Sequence, residues 1–276
     1  MTINCKGTLV DLSTPKVMGI LNVTPDSFYQ KGRTPDIDSL LKKAEKHLAD
    51  GATFLDLGGY STQPGAKEVS VEEELDRIIP AVDVLQNYFP DALLSIDTFR
   101  SQVAQKSVEA GAHIINDVSG GTLDEQMFST IGQLQVPYVL MHMKATPQTM
   151  QINPQYEDVV TEVNQFLLER VQQLQRLKVK DIILDPGFGF AKTLEHNYQL
   201  LDKMQLIGFE EFPILVGVSR KSMVYKLLNI TAEESLNATT ALHMIALQKG
   251  AKILRVHDVK EARQAIEIYQ MLRKPI

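Results

Sequence analysis

The chain has 276 residues, 44% apolar and 22% charged, with a net charge of −6, an ordinary globular mix able to bury a core. The acidic balance argues against a nucleic-acid footprint, and Arg220, Lys221 and Arg255 are scattered rather than striped. No run approaches the roughly 20 apolar residues of a membrane span, the start Met1–Gly7 lacks a signal peptide's apolar core, and the lone Cys5, unable to form an internal disulfide, fits a reducing cytoplasm.

In chain order, short apolar runs recur at Val17–Leu21, Phe54–Leu57, Leu93–Ile96, Ile114–Ile115, Tyr138–Met141, Ile182–Leu184, Ile214–Val218 and Ile253–Val256. Near-continuous Val, Ile and Leu predict strands covered on both faces, as in a parallel sheet. Amphipathic stretches lie between them. Leu40–Leu48 and Val159–Leu177 space their apolar residues as helices do. Gly51, Gly111 and Gly250 stand where a left-handed C-cap closes a helix before the next strand. From Asn22 to Arg255 the strand ends return about every 33 residues, close to the roughly 30 of one βαβ unit.

This pattern predicts an α/β fold, a (β/α)8 TIM barrel in a single domain. A doubly wound open sheet is the alternative, because periodicity does not prove closure. Residues 1–16 read as an N-terminal extension, a short hairpin packed on the barrel floor, followed by one barrel over residues 17–276 with no linker.

Barrel chemistry sits at the C-terminal ends of the strands. There the sequence places Asn22, Asp56, Asp97, Asn116, His142, Asp185, then Ser219 with Arg220 and Lys221, and Arg255 with His257. For any one of them, ordinary loop polarity or a turn role is a competing account. Together they are harder to dismiss, because Asp97, Asn116, Asp185 and Arg255 directly follow apolar residues that should be buried. A polar or charged group there needs a partner. Other motifs fall away. Gly187-Phe188-Gly189 lacks the third glycine of a dinucleotide fingerprint, with Lys192 in its place, and no Walker A sequence or zinc-ligand spacing occurs. Gly58-Gly59 and Gly120-Gly121 read as strand-to-loop turns.

Four segments carry a resemblance. Met18-Gly19-Ile20-Leu21-Asn22-Val23-Thr24-Pro25-Asp26-Ser27-Phe28, Asp185-Pro186-Gly187-Phe188-Gly189-Phe190, Ser219-Arg220-Lys221-Ser222 and Arg255-Val256-His257-Asp258-Val259 resemble, in order, the signatures of the dihydropteroate synthase family. The likeness runs from about Lys16 to the C-terminus. It implies a transferase of folate biosynthesis, the target of sulfonamides. Such an enzyme condenses 6-hydroxymethyl-7,8-dihydropterin pyrophosphate with p-aminobenzoate and releases pyrophosphate, with Mg²⁺ as cofactor and a homodimer as the usual assembly.

The residues suit the roles so implied. A carboxylate can accept both N–H donors of an amino-pyrimidinone edge, which fits Asp185 to the pterin. Asp97 and Asn116 can take the remaining ring donors and acceptors, Lys221 the ring carbonyl, and Met141 and Phe190 the ring faces. Arg255 and His257 would bind pyrophosphate. Asn22 resembles the family's Mg²⁺ ligand, an amide oxygen suited to a hard cation. Asp97, Lys221 and Arg255 are the expected catalytic groups.

Thr24–Phe28 and Tyr60–Ala66 resemble the family's two mobile loops. Thr62 can bond phosphate, Phe28 and Pro64 can wall an aromatic ring, and Ser222 with Lys221 can hold the aminobenzoate carboxylate. The chain departs from the family at Gln63, usually Arg, and Tyr60, usually an acid. Loss of a guanidinium there is expected to weaken pyrophosphate or aminobenzoate handling, or to alter sulfonamide sensitivity. Two rival readings share the pterin pocket: a methyltransferase domain that binds methyltetrahydrofolate, and a paralogue that binds pterin without turnover. A generic phosphate-binding barrel isomerase is disfavoured by Asp97, Asn116 and Asp185 together.

Overall fold

The computed structural model describes residues 1–23, 37–60, 69–144 and 154–273. Phe28, Thr62, Gln63 and Pro64 lie outside the described residues. Strands β1 (Thr2–Cys5) and β2 (Thr8–Asp11) pair antiparallel as a hairpin. The barrel strands are β3 (Lys16–Asn22), β4 (Phe54–Gly58), β5 (Leu93–Asp97), β6 (Ile114–Asp117), β7 (Tyr138–Met141), β8 (Ile182–Asp185), β9 (Ile214–Val216) and β10 (Ala251–Val256). They pair in parallel and in sequence order, and β10 returns to β3, so the sheet closes. Closure excludes the doubly wound alternative.

Helices α1 (Ile37–Ala49), α2 (Val71–Tyr88), α3 (Ser101–Glu109), α4 (Met127–Leu134), α5 (Val159–Arg176), α6 (Leu194–Asp202), α7 (Ser222–Leu228), α8 (Leu236–Gln248) and α9 (Val259–Leu272) lie on the outside. Gly51, Gly111 and Gly250 take φ of 97°, 122° and 100°, the left-handed closures read from the sequence. Gly120 and Gly121 also turn left-handed, as expected of a tight exit. Gly59 serves differently. A Cβ there would meet Ile78 Cγ1 at 2.9 Å, so this glycine permits close packing on α2.

The two-residue alternation of the strands explains the whole layout. Outward residues such as Leu21, Leu55, Ile96, Leu140 and Leu184 join the helices in the main core. The inward residues Met18, Phe54, Leu93, Ile114, Val139, Ile183, Leu215 and Ile253 form a separate cluster with Ile3, Cys5, Val10 and Leu12 of the hairpin segment. The hairpin thus plugs the barrel floor. Burial, and then the Asp181 charge, push the Cys5 thiol up to about 12, so it stays protonated and inert. Two residues further along, the inward face carries Ile20, Asp56, Ser95, Asn116, Met141, Asp185, Gly217 and Arg255, mostly polar. An apolar floor beneath a polar layer follows directly from the strand period. No helix among the described residues is long and apolar enough to cross a membrane.

Candidate active site

The polar layer is organised around Asp56, which is fully buried. Its Oδ2 accepts from Arg255 Nε at 2.6 Å and Asn116 Nδ2 at 3.1 Å, and its Oδ1 accepts from Ser95 Oγ at 2.5 Å. Arg255 also donates through a terminal nitrogen to Asp97 Oδ2 at 2.7 Å. Buried charges persist when paired and fully hydrogen-bonded, and Asp56 meets that condition with three donors. Desolvation opposes the Arg255 charge, but Asp56 and Asp97 outweigh it and hold the guanidinium firmly protonated. Burial raises the Asp97 carboxyl well above the usual range, with Arg255 pulling the other way.

Opposite this group, Asp185 ends β8. Its Oδ1 accepts the backbone N–H of Gly187 at 2.7 Å, the turn role anticipated as a competing account, while Oδ2 makes no hydrogen bond among the described residues. Burial raises its pKa, countered first by Lys221. Lys221 donates to the Phe188 carbonyl at 2.5 Å, and its ammonium lies 4.6 Å from the Phe190 ring centre. Desolvation brings Lys221 down to about 8, against the pull of Asp185. Met141 clusters with Val118 and Met143, with Phe99 and Phe190 against them, forming an apolar wall. Asn116 faces inward, and its neighbour Asp117 takes the turn role instead, accepting from Ser119 N, Gly121 N and the Tyr138 hydroxyl.

His257 follows β10 and is exposed. Its Nδ1 lies 3.1 Å from Ser219 Oγ, so it is not a core histidine. Ser222 begins α7, with Lys221 as the preceding cap residue. Asn22 ends β3, half-buried, and its side chain makes no hydrogen bond among the described residues. Among those residues no three His, Cys, Asp or Glu side chains converge on a metal. An amide joined by substrate phosphate oxygens and water is the donor set that Asn22 fits.

The pterin binding enzyme family matches the chain over residues 18–257. Dihydropteroate synthase of Escherichia coli strain K12 is 44% identical to it, across 98% of this chain and 96% of its own. This chain belongs to the dihydropteroate synthase family. The Haemophilus influenzae dihydropteroate synthase is 40% identical over 98% of both chains. Among solved structures, the Yersinia pestis dihydropteroate synthase with a sulfonamide drug superposes with a TM-score of 0.92 at 43% identity, over 99% of each chain. The Xanthomonas albilineans dihydropteroate synthase in complex with 7,8-dihydropteroate gives 0.89 at 35% identity, over the full length of both.

Within this dihydropteroate synthase fold, the residues assigned to pterin and those assigned to pyrophosphate are joined, because Arg255 is bonded to Asp97 and, through Asp56, to Asn116. The sequence sets Asp56 among the strand-end polar residues without a role, and carries no signal for Gly217. Asp56 stood between two leucines at a strand end, and its central place needed the fold to be seen. A Cβ on Gly217 would lie 3.7 Å from Lys221 Nζ and 4.0 Å from Arg255 Cβ, so this position lies beside both cations. Arg220 belongs to the scaffold. It turns left-handed at φ 53° and makes a two-pronged bond to Asp258, both contacts at 2.8 Å. That clasp ties the loop carrying Lys221 to the loop carrying His257. Tyr60 stacks edge-on against Phe99 at 5.2 Å, with Arg100 5.5 Å above its ring, filling the family's acid position with an aromatic.

Proposed function

We propose that this barrel condenses 6-hydroxymethyl-7,8-dihydropterin pyrophosphate with p-aminobenzoate, giving 7,8-dihydropteroate and pyrophosphate. The carrying observation is the ring of buried Asp185, Asp97 and Asn116 with half-buried Lys221 and Arg255 at the strand ends, over an apolar floor and beside a wall of Met141 and Phe190. A flat heterocycle rich in donors and acceptors is the ligand for which such a ring is built.

Asp185 Oδ2 would accept from the amino-pyrimidinone edge, Lys221 would donate to the ring carbonyl, and Asp97 and Asn116 would take the remaining ring atoms. The reaction breaks the C–O bond between the pterin methylene and pyrophosphate and forms a C–N bond from the aryl amine, whose surplus N–H proton passes to solvent. Positive charge develops on the methylene as pyrophosphate leaves, and the electron-rich ring with the nearby Asp97 carboxylate stabilises it. Arg255 and His257 would meet the leaving group. A bound Mg²⁺, held by Asn22 with phosphate oxygens and water, would supply charge neutralisation. Thr62, Phe28, Pro64 and Ser222 are assigned to phosphate and aminobenzoate by resemblance. The amine is already nucleophilic, so positioning is the protein's main contribution. Cytoplasmic residence and a homodimer complete the reading.

The methyltransferase alternative gives no purpose to an Arg255–His257 site facing pyrophosphate. Incubating the protein with the pterin pyrophosphate, p-aminobenzoate and Mg²⁺ should release pyrophosphate. No release over hours with pterin binding intact would leave the paralogue reading in its place.

The Lys221 environment adds a pH signature. The group carries its charge below about 8 and loses it above, so kcat/KM, which reports the free enzyme, should fall on the alkaline side from near that value. Lys221→Arg, whose side chain does not titrate in that range, should move the limb upward. A limb unchanged in that variant would assign it to another group.

A further inference from the structure

The turn after β8 is braced by a group that the reaction above does not use. Gly187, Gly189 and Ala191 all take left-handed φ, at 71°, 81° and 46°. For alanine that conformation costs about 1–2 kcal/mol, so the surroundings must enforce it. A backbone folded this way turns carbonyls inward, where they need donors. The Lys192 ammonium supplies them, donating to Gly187 O at 2.9 Å and Phe190 O at 3.2 Å, and meeting His142 Nδ1 at 3.0 Å. Lys192 is 9% exposed.

The neighbouring strand is drawn in as well. His142 N donates to the Asp185 carbonyl at 3.0 Å. A Cβ on Gly187 would fall 2.0 Å from the His142 carbonyl oxygen, so the two segments touch with no room for a side chain. The opposite side of the same turn faces the barrel mouth. Gly187 N holds Asp185 Oδ1, Phe188 O holds the Lys221 ammonium, and Phe190 lies beneath that ammonium. The backbone groups that orient Asp185 and Lys221 therefore lie in the stretch that Lys192 gathers.

A buried ammonium is costly unless paired and hydrogen-bonded. Desolvation brings Lys192 down to about 7, and Asp185 pulls it back up. An apolar side chain could fill the volume without that cost, but it could not collect three acceptors.

We propose that Lys192 is a positioning residue for pterin recognition, its buried ammonium fixing the Gly187–Phe190 backbone and thereby the orientation of Asp185, Phe190 and Lys221. This rests on the pterin reading of the barrel mouth. Lys192→Met keeps the length of the side chain and removes its donors. Calorimetric titration of the folded variant with the dihydropterin pyrophosphate should show Kd raised about tenfold or more. A lysine that only supports the fold would lower Tm without moving the pterin Kd. Should Lys192→Met not fold, His142→Leu removes one of the three acceptors and should weaken pterin binding about threefold. An unchanged pterin Kd in either folded variant overturns the proposal. Failure of the unsubstituted protein to bind pterin at all would overturn the functional reading itself, and this inference with it.

Discussion

Replacing Asp185 by Asn is expected to weaken binding of the dihydropterin substrate by about 10³-fold while leaving the fold intact. The carboxylate has two oxygens with different duties. Oδ1 accepts from Gly187 N at 2.7 Å and keeps the turn closed, which the amide oxygen of Asn can still do. Oδ2, which has no hydrogen-bond partner among the described residues, would become an NH2 group facing substrate donors. Hydrogen bonds to a charged group contribute about 1.5–3 kcal/mol each, so loss of two explains roughly three orders of magnitude. A second effect acts in the same direction. Asp185 is the first charge opposing desolvation of Lys221, so without it the ammonium falls further and a second pterin contact weakens. Calorimetry on the purified variant, with Tm as a control for folding, measures both. Pterin affinity within tenfold of the unsubstituted protein would mean that Asp185 is a turn residue and nothing more.

Arg255→Met should damage both stability and turnover. The guanidinium joins two carboxylates, one fully buried at Asp56 and one nearly so at Asp97. Removing one member of a buried ion pair costs about 3–5 kcal/mol, which for a chain of this size lowers Tm by roughly 10 °C. The stranded charges would be relieved by protonation of Asp97, already raised by burial and held back by Arg255. A neutral Asp97 no longer favours positive charge on the reacting methylene, and the leaving group loses a cation. We expect kcat/KM to fall about 10²–10³-fold. A melting scan and steady-state rates decide it. Unchanged Tm with lost activity would show that the Asp56 and Asp97 contacts contribute little. Lost Tm with full activity would free Arg255 of any part in the reaction.

These expectations depend on a coupling that the sequence only half displays. The barrel was legible because eight apolar runs alternate with helical stretches and because glycines mark the helix ends. The floor hairpin was legible from its position before the first run. The identities of Asp97, Asn116, Asp185, Lys221 and Arg255 followed from charged or amide groups placed directly after buried strands, and resemblance supplied their roles. Which of them touch was not legible. Contacts such as Asp56 to Arg255 join positions far apart in the chain, and one-dimensional spacing says nothing of them until the strands close into a ring. Ser95 shows the same limit from the other side. A small polar residue inside Leu93–Ile96 reads as tolerated strand composition, yet on the inward face it supplies Asp56 with a third donor.

Lys192 and Arg220 illustrate a different obscurity. Both sit beside well-marked motifs, and a cation next to a phosphate-facing loop invites a ligand role. The geometry sends each away from the mouth, Lys192 into the turn after β8 and Arg220 onto Asp258. Their left-handed surroundings, at Gly187, Ala191 and Arg220 itself, are the physical reason. Tight turns at the strand ends expose carbonyls and aim side chains backward, and cations are recruited to hold them. The barrel mouth is therefore an inner ring that meets substrate with an outer brace that keeps the ring in place.

The most direct test of this account is the stoichiometry of turnover. With dihydropterin pyrophosphate and Mg²⁺ present, pyrophosphate release should require p-aminobenzoate, and one dihydropteroate should appear for each pyrophosphate set free. Release of pyrophosphate without dihydropteroate, or no release while the pterin is bound, would contradict it.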